Sequence, residues 1–211
     1  MYILITSQTS LSLPEQWHSY SASGTYQNIT SVHRLRKLLG SNESVISQAG
    51  RLMLNQKMCL VDVAAFEHSI KKIEIIMSKN GDDTKTEKIK SAASAIFNLY
   101  KGHFFSGDTL PSWAIAFREK LHDRFIRFIE QLGMYYEGAG ETNDAISTYQ
   151  KGLEADNQVG LFYQRLMAIY KSLGRHSEVA STYKRCAAAL SDMLGIEPSD
   201  KTKELYRSIK P

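Results

Sequence analysis

The chain has 211 residues, 43% of them hydrophobic, with 26 Lys and Arg against 22 Asp and Glu. That composition excludes a disordered chain and suits one sizeable core or two smaller ones. No apolar run approaches the roughly 18–20 residues of a membrane helix, two distant cysteines in no ligand spacing exclude a disulfide framework or zinc site, and a net charge of +4 permits nucleic-acid contact without demanding it.

In chain order, residues 1–30 hold one acid, Glu15, and no Lys or Arg. A strand over 2–6, a short helix over 14–20 and a polar loop, SASGTYQN, are expected. The start lacks the basic segment and small-residue cleavage site of a signal peptide, which implies a cytoplasmic protein. The stretch SVHRLRKLLG, residues 31–40, ends a helix expected over 26–39. Val32, Leu35, Leu38 and Leu39 fall at helical spacing, His33, Arg34, Arg36 and Lys37 fill the other faces, and Gly40 stands where a C-cap belongs. Taken alone, such a helix is more often a solvated charged surface than a ligand site.

Residues 45–47, 51–54 and 58–61 read as short strands, the first two joined as a hairpin through Gln48-Ala49-Gly50. From Val63 the period becomes helical, with Phe66, Ile70 and Ile73 on one face and Asp62 placed to cap it. After the break at 80–83, Ile89, Ala93 and Ile96 mark a second helix ending at Gly102. Beyond an aromatic loop, Pro111 suits the first turn of a long helix with Trp113, Ile115, Phe117, Leu121, Phe125, Phe128 and Leu132 toward the core. Cys59 and Cys186 read as buried small hydrophobes.

The remainder repeats. Leu132, Tyr136, Gly140 and Tyr149 recur 34 residues later as Leu166, Tyr170, Gly174 and Tyr183, with Ala145 matched by Val179 and Gly152 by Cys186. That is the tetratricopeptide (TPR) period, in which each helical hairpin needs a neighbour to cover its apolar face. The two copies need the hairpin of residues 63–101 and the long helix to complete about three units. Gly138-Ala139-Gly140 has neither the preceding strand nor the following Lys of a phosphate loop and reads as a turn.

Catalysis is not expected. The six histidines occur singly, without the spacing that puts two imidazoles on one helical face. His122 and Asp123 are adjacent and so point apart. No metal site and no cofactor is indicated.

The run SVHRLRKLLG, then SVISQAGRLMLNQKMCLVDVAAFE, then helical hairpins closing with LGIEPSDKTKELY, resembles the bacterial transcriptional activator domain with the end of its preceding winged helix, as in the antibiotic regulatory protein family and related large regulators. The resemblance covers about residues 28–210. It implies a mostly α fold: a partial winged-helix α+β segment over 1–60, with its wing at 45–54, then a TPR-like activator domain over 61–211. It also implies that Gln27, Ser31 and Arg34 face the major groove, that Lys37 and Arg51 approach phosphates, and that Ile29, Val32, Leu35 and Leu39 are core.

The family places roughly sixty residues ahead of the recognition helix to support it, and thirty stand here. Three readings stay open: a fragment of a larger regulator, a decayed winged helix that caps the helical domain, or a minimal support rebuilt from residues 1–30. On function, the regulator reading has DNA, a protein partner or a second copy as ligands, with a dimer allowed and no membrane. Arg127, Gln131, Tyr135, Tyr163 and Arg165 are its candidate protein-binding groove, since Tyr and Arg favour interfaces. The rival is a helical-repeat scaffold that binds a protein and never touches DNA.

Overall fold

The computed structural model describes residues 3–4, 27–48, 51–55, 58, 60–78, 84–100, 102 and 112–209. The short helix expected over 14–20, most of the polar loop, the aromatic loop, Pro111 and Cys59 lie outside them, as do the side chains of Gln27, Ile29, Arg51 and Trp113. The described fold is mostly α, with helical hairpins and two small antiparallel sheets. Contacts divide it into two compact units, Met1–Lys101 and Gly102–Pro211.

In the first unit, α1 (Gln27–Leu38) is followed by β2 (Val45–Gln48) and β3 (Arg51–Leu54), which form the expected hairpin. The strand expected at 58–61 shortens to β4 (Leu60–Val61) and does not join that hairpin. It pairs instead with β1 (Ile3–Leu4), Ile3 opposite Val61. β4 runs without a break into α2 (Asp62–Ser78), where Asp62 Oδ1 accepts from the Val63 N–H at 2.8 Å. The change from strand to helix at 61/62 falls within one compact unit, and the two units part at 101/102.

Helix α2 packs on α3 (Lys85–Leu99) through buried Phe66, Ile70, Ile73, Ile89, Ala93 and Ile96. Full burial of the Phe and Ile side chains contributes roughly 1.5–3 kcal/mol each. Phe66 meets the Tyr100 ring at 5.8 Å, and Lys85 Nζ donates to the Met77 carbonyl at 2.8 Å, a cation at the negative end of α2.

The second unit is an array of α4 (Ser112–Gly138), α5 (Thr142–Ala155), α6 (Gly160–Ser172), α7 (His176–Leu194) and α8 (Asp200–Arg207). Each packs on its successor up to α7, and α8 closes on α6 and α7. The buried stripe of α4 runs through Ala114, Leu121, Phe125, Phe128, Leu132 and Tyr136. Ile115, expected inside, lies off that stripe and is 38% exposed. Both hairpins turn alike. Glu141 N–H donates to the Tyr136 carbonyl and, 34 residues on, Arg175 N–H to that of Tyr170. Gly140 and Gly174 have φ of 75° and 69°, the left-handed region that such helix ends require.

The hairpins interlock through glycines. A Cβ on Gly133 of α4 would lie 2.3 Å from Tyr149 Cζ of α5, and one on Gly152 of α5 would lie 2.6 Å from the Phe162 ring of α6. In the second copy these glycines become Met167 and Cys186, and Glu137, which accepts from the Tyr149 hydroxyl, becomes Lys171. Tyr183 therefore lacks both the seat and the acceptor that Tyr149 has, and stacks on Tyr206 of α8 at 4.3 Å. Gln164 Nε2 holds Ser199 and Thr202 at 3.1 Å each, fixing the start of α8.

Replacing Gly133 by Ala should lower stability by about 1–3 kcal/mol, read by urea denaturation, because a methyl group overpacks against the Tyr149 ring. Cys186 is fully buried and burial pushes its thiol up to about 11. In a Cys59→Ser chain it should resist thiol reagents at mildly alkaline pH until denaturant is added.

Candidate interfaces on the first helix and the repeat array

Successive helix residues are about 100° apart, which sets the two sides of α1. Val32, Arg36 and Leu39 share the stripe facing the hairpin, where Val32, Leu39 and Val45 form a buried cluster with Leu54 and Met58 against it. Ser31, Arg34 and Lys37 lie round the other side and are exposed. Leu35, expected in the core, is 45% exposed and Leu38 82% exposed. The stripe against the wing is narrow, and its middle position is taken by Arg36 where an apolar residue would otherwise stand. Arg51 opens β3.

Arg36 is the residue that the sequence reading placed among the surface charges and the structure places otherwise. Its Nε and Nη2 donate to the Val45 carbonyl at 3.1 and 2.7 Å. Helical spacing, Arg36 lying four residues after Val32, could have marked it as facing inward. Charge is also unevenly divided. Met1–Lys101 carries 12 Lys and Arg against 8 Asp and Glu, whereas Gly102–Pro211 carries 14 of each.

On the array, Arg127, Gln131 and Tyr135 fall four residues apart along α4. The first two are exposed, and Tyr135 is half-buried with its ring edge-on to Tyr136 at 5.7 Å. Arg165 of α6 is half-buried and pairs with Glu137 at 3.7 Å. Tyr163 is 2% exposed and belongs to the core, so it lines no open groove. Its position on α6 points to the interior because Phe162, Tyr163, Leu166 and Met167 form one buried face.

Glu137 organises the polar centre of the array. It accepts from the Tyr149 hydroxyl and faces Arg165, linking α4, α5 and α6. Burial first, then the bond to Glu137, raises the Tyr149 pKa far above its ordinary value, so the phenol stays a neutral donor. His122 meets Asp156 rather than the adjacent Asp123, with Nε2 3.0 Å from Oδ2. Among the described residues no group of His, Cys, Asp and Glu could hold a metal ion, and no helix is long and apolar enough to cross a membrane.

The family model described as bacterial transcriptional activator domain matches residues 61–210. Among solved structures, Mycobacterium tuberculosis EmbR in complex with a low affinity phosphopeptide is similar with a TM-score of 0.58 and 18% identity, over 89% of this chain and 50% of that one. The chain thus spans half the length of that protein, and the likeness concerns the fold. No curated protein matches.

Truncating Glu137 to Ala strands the buried Tyr149 hydroxyl and should cost about 1–3 kcal/mol in denaturant unfolding. Arg127→Ala, on the exposed stripe, should stay within about 0.5 kcal/mol of the parent. A partner that uses that stripe would therefore lose affinity in a variant of unchanged stability.

Proposed function

The chain belongs to the bacterial transcriptional activator domain family, and from that membership we propose a transcription regulator, or a segment of one, with its two tasks on separate units. α1 and the β2–β3 hairpin meet DNA, and the array of α4–α8 holds a protein partner or a second copy. The observation that carries this division is the charge. The whole positive surplus lies in Met1–Lys101, the unit in which Arg34 and Lys37 stand exposed on the side of α1 turned away from its packed stripe.

In this reading Gln27, Ser31 and Arg34 read base edges, and Lys37 and Arg51 neutralise phosphates as the wing lies along the backbone. The array contributes contacts through the Arg127, Gln131 and Tyr135 stripe of α4. No catalytic step, metal or cofactor enters, and the protein works where the bacterial chromosome is, in the cytoplasm. The scaffold reading shares the array and omits the DNA.

The two part on one measurement with the 211-residue chain and a randomised duplex pool at low and moderate salt. The regulator selects a subset of sequences, and its log K falls with log salt at a slope of about −2 for two neutralised phosphates. Lys37→Ala flattens that slope by about one unit across all sequences, whereas Arg34→Ala relaxes selection at one position. Recovery of an unenriched pool, with affinity unaltered in both variants, would leave the scaffold.

A further inference from the structure

Arg36 sends its charge inward, away from the side on which Arg34 and Lys37 are exposed. Asn55 N–H donates to the Ser44 carbonyl at 2.8 Å, and the next cross-strand pair is Val45 with Leu54. Antiparallel pairs alternate between bonded and non-bonded, so the Val45 carbonyl points off the outer edge of β2, away from β3. A backbone acceptor left without a partner in a part-buried place is costly. Arg36 supplies two donors to it from one planar fork, at 3.1 and 2.7 Å.

The same residue closes the end of α1. Its carbonyl accepts from the Ser41 N–H at 3.2 Å, while Gly40 N–H donates to Lys37. Ser44 N–H and Oγ both donate to the Ser41 carbonyl, at 3.3 and 2.6 Å, and Asn55 Nδ2 to that of Glu43 at 3.0 Å. The link between helix and wing is thus tied at both ends, with Val32, Leu39 and Val45 packed beneath it.

We infer that Arg36 is a positioning residue, a clamp that sets the angle between α1 and the β2–β3 wing and makes no phosphate contact. The consequence for DNA rests on the reading above; the clamp is tested apart from it. Two variants of the 211-residue chain separate fork from charge: Arg36→Lys keeps the charge and loses the planar fork, and Arg36→Met keeps an apolar stem alone. Lys37→Ala is the comparator.

Amide exchange across residues 45–54 should rise about tenfold in both Arg36 variants, the loss expected for one charge-assisted bond, with α5 and α6 unchanged. Duplex affinity should fall in both while the salt slope keeps the parental value, whereas Lys37→Ala flattens the slope by about one unit and leaves wing exchange alone. Unchanged wing exchange in both Arg36 variants would overturn the clamp, as would a flattened slope in Arg36→Met. If the parent binds no duplex, the DNA reading falls and the exchange result decides the clamp by itself.

Discussion

A helical hairpin covers only one side of each of its helices, and in Gly102–Pro211 the open sides are closed by aromatic rings seated on glycine backbone. Tyr149 of α5 occupies the space a side chain on Gly133 would need, and Phe162 of α6 together with Ile129 of α4 does the same at Gly152. Large-on-small seating lets α4, α5 and α6 approach closely enough to share one core, with the Tyr149 and Phe162 rings 5.8 Å apart. The order of the array, and so the placement of every exposed side chain on it, depends on that seating. Where the second copy has Met167 and Cys186 in the glycine positions, the pattern cannot propagate. There α8 packs on α7 instead, through the Tyr183–Tyr206 stack. Ile196, 34 residues after Phe162, is left 51% exposed.

The N-terminal unit solves a different problem with polar means. Its helix and hairpin have a small apolar cluster between them, too small to fix an angle by packing alone, and a guanidinium on an edge carbonyl supplies the missing constraint. Directional hydrogen bonds specify geometry where nondirectional burial is scarce. The division suits two kinds of ligand. In the proposed function, the basic helix and hairpin meet a uniform line of phosphates, and the neutral array offers separate Tyr, Arg and Gln positions to a protein.

Much of this was legible in the sequence, for reasons of period. The 34-residue spacing located both hairpins and their glycine turns, and the shift from alternating to helical spacing at Val63 placed α2. What local pattern could not carry was partner choice across the chain. The two-residue pairing of Ile3 and Leu4 with β4 leaves almost no signature, and the strand read at 58–61 carries no mark of its partner. Leu35 was expected inside because apolar residues at helical spacing do not reveal how narrow the covered stripe is. Tyr163 was expected at a surface because a Tyr beside an Arg resembles an interface; only the packing of α6 turns it inward. Arg36 and Glu137 were missed as organisers because each acts on a group nine or twelve residues away, Val45 and Tyr149 respectively.

Amide exchange of the intact chain with and without a selected duplex tests the division of labour between the units most directly. New protection should appear over α1 and the β2–β3 hairpin, with α5, α6 and α7 unaltered. Protection that falls on the array and spares α1 would contradict that division.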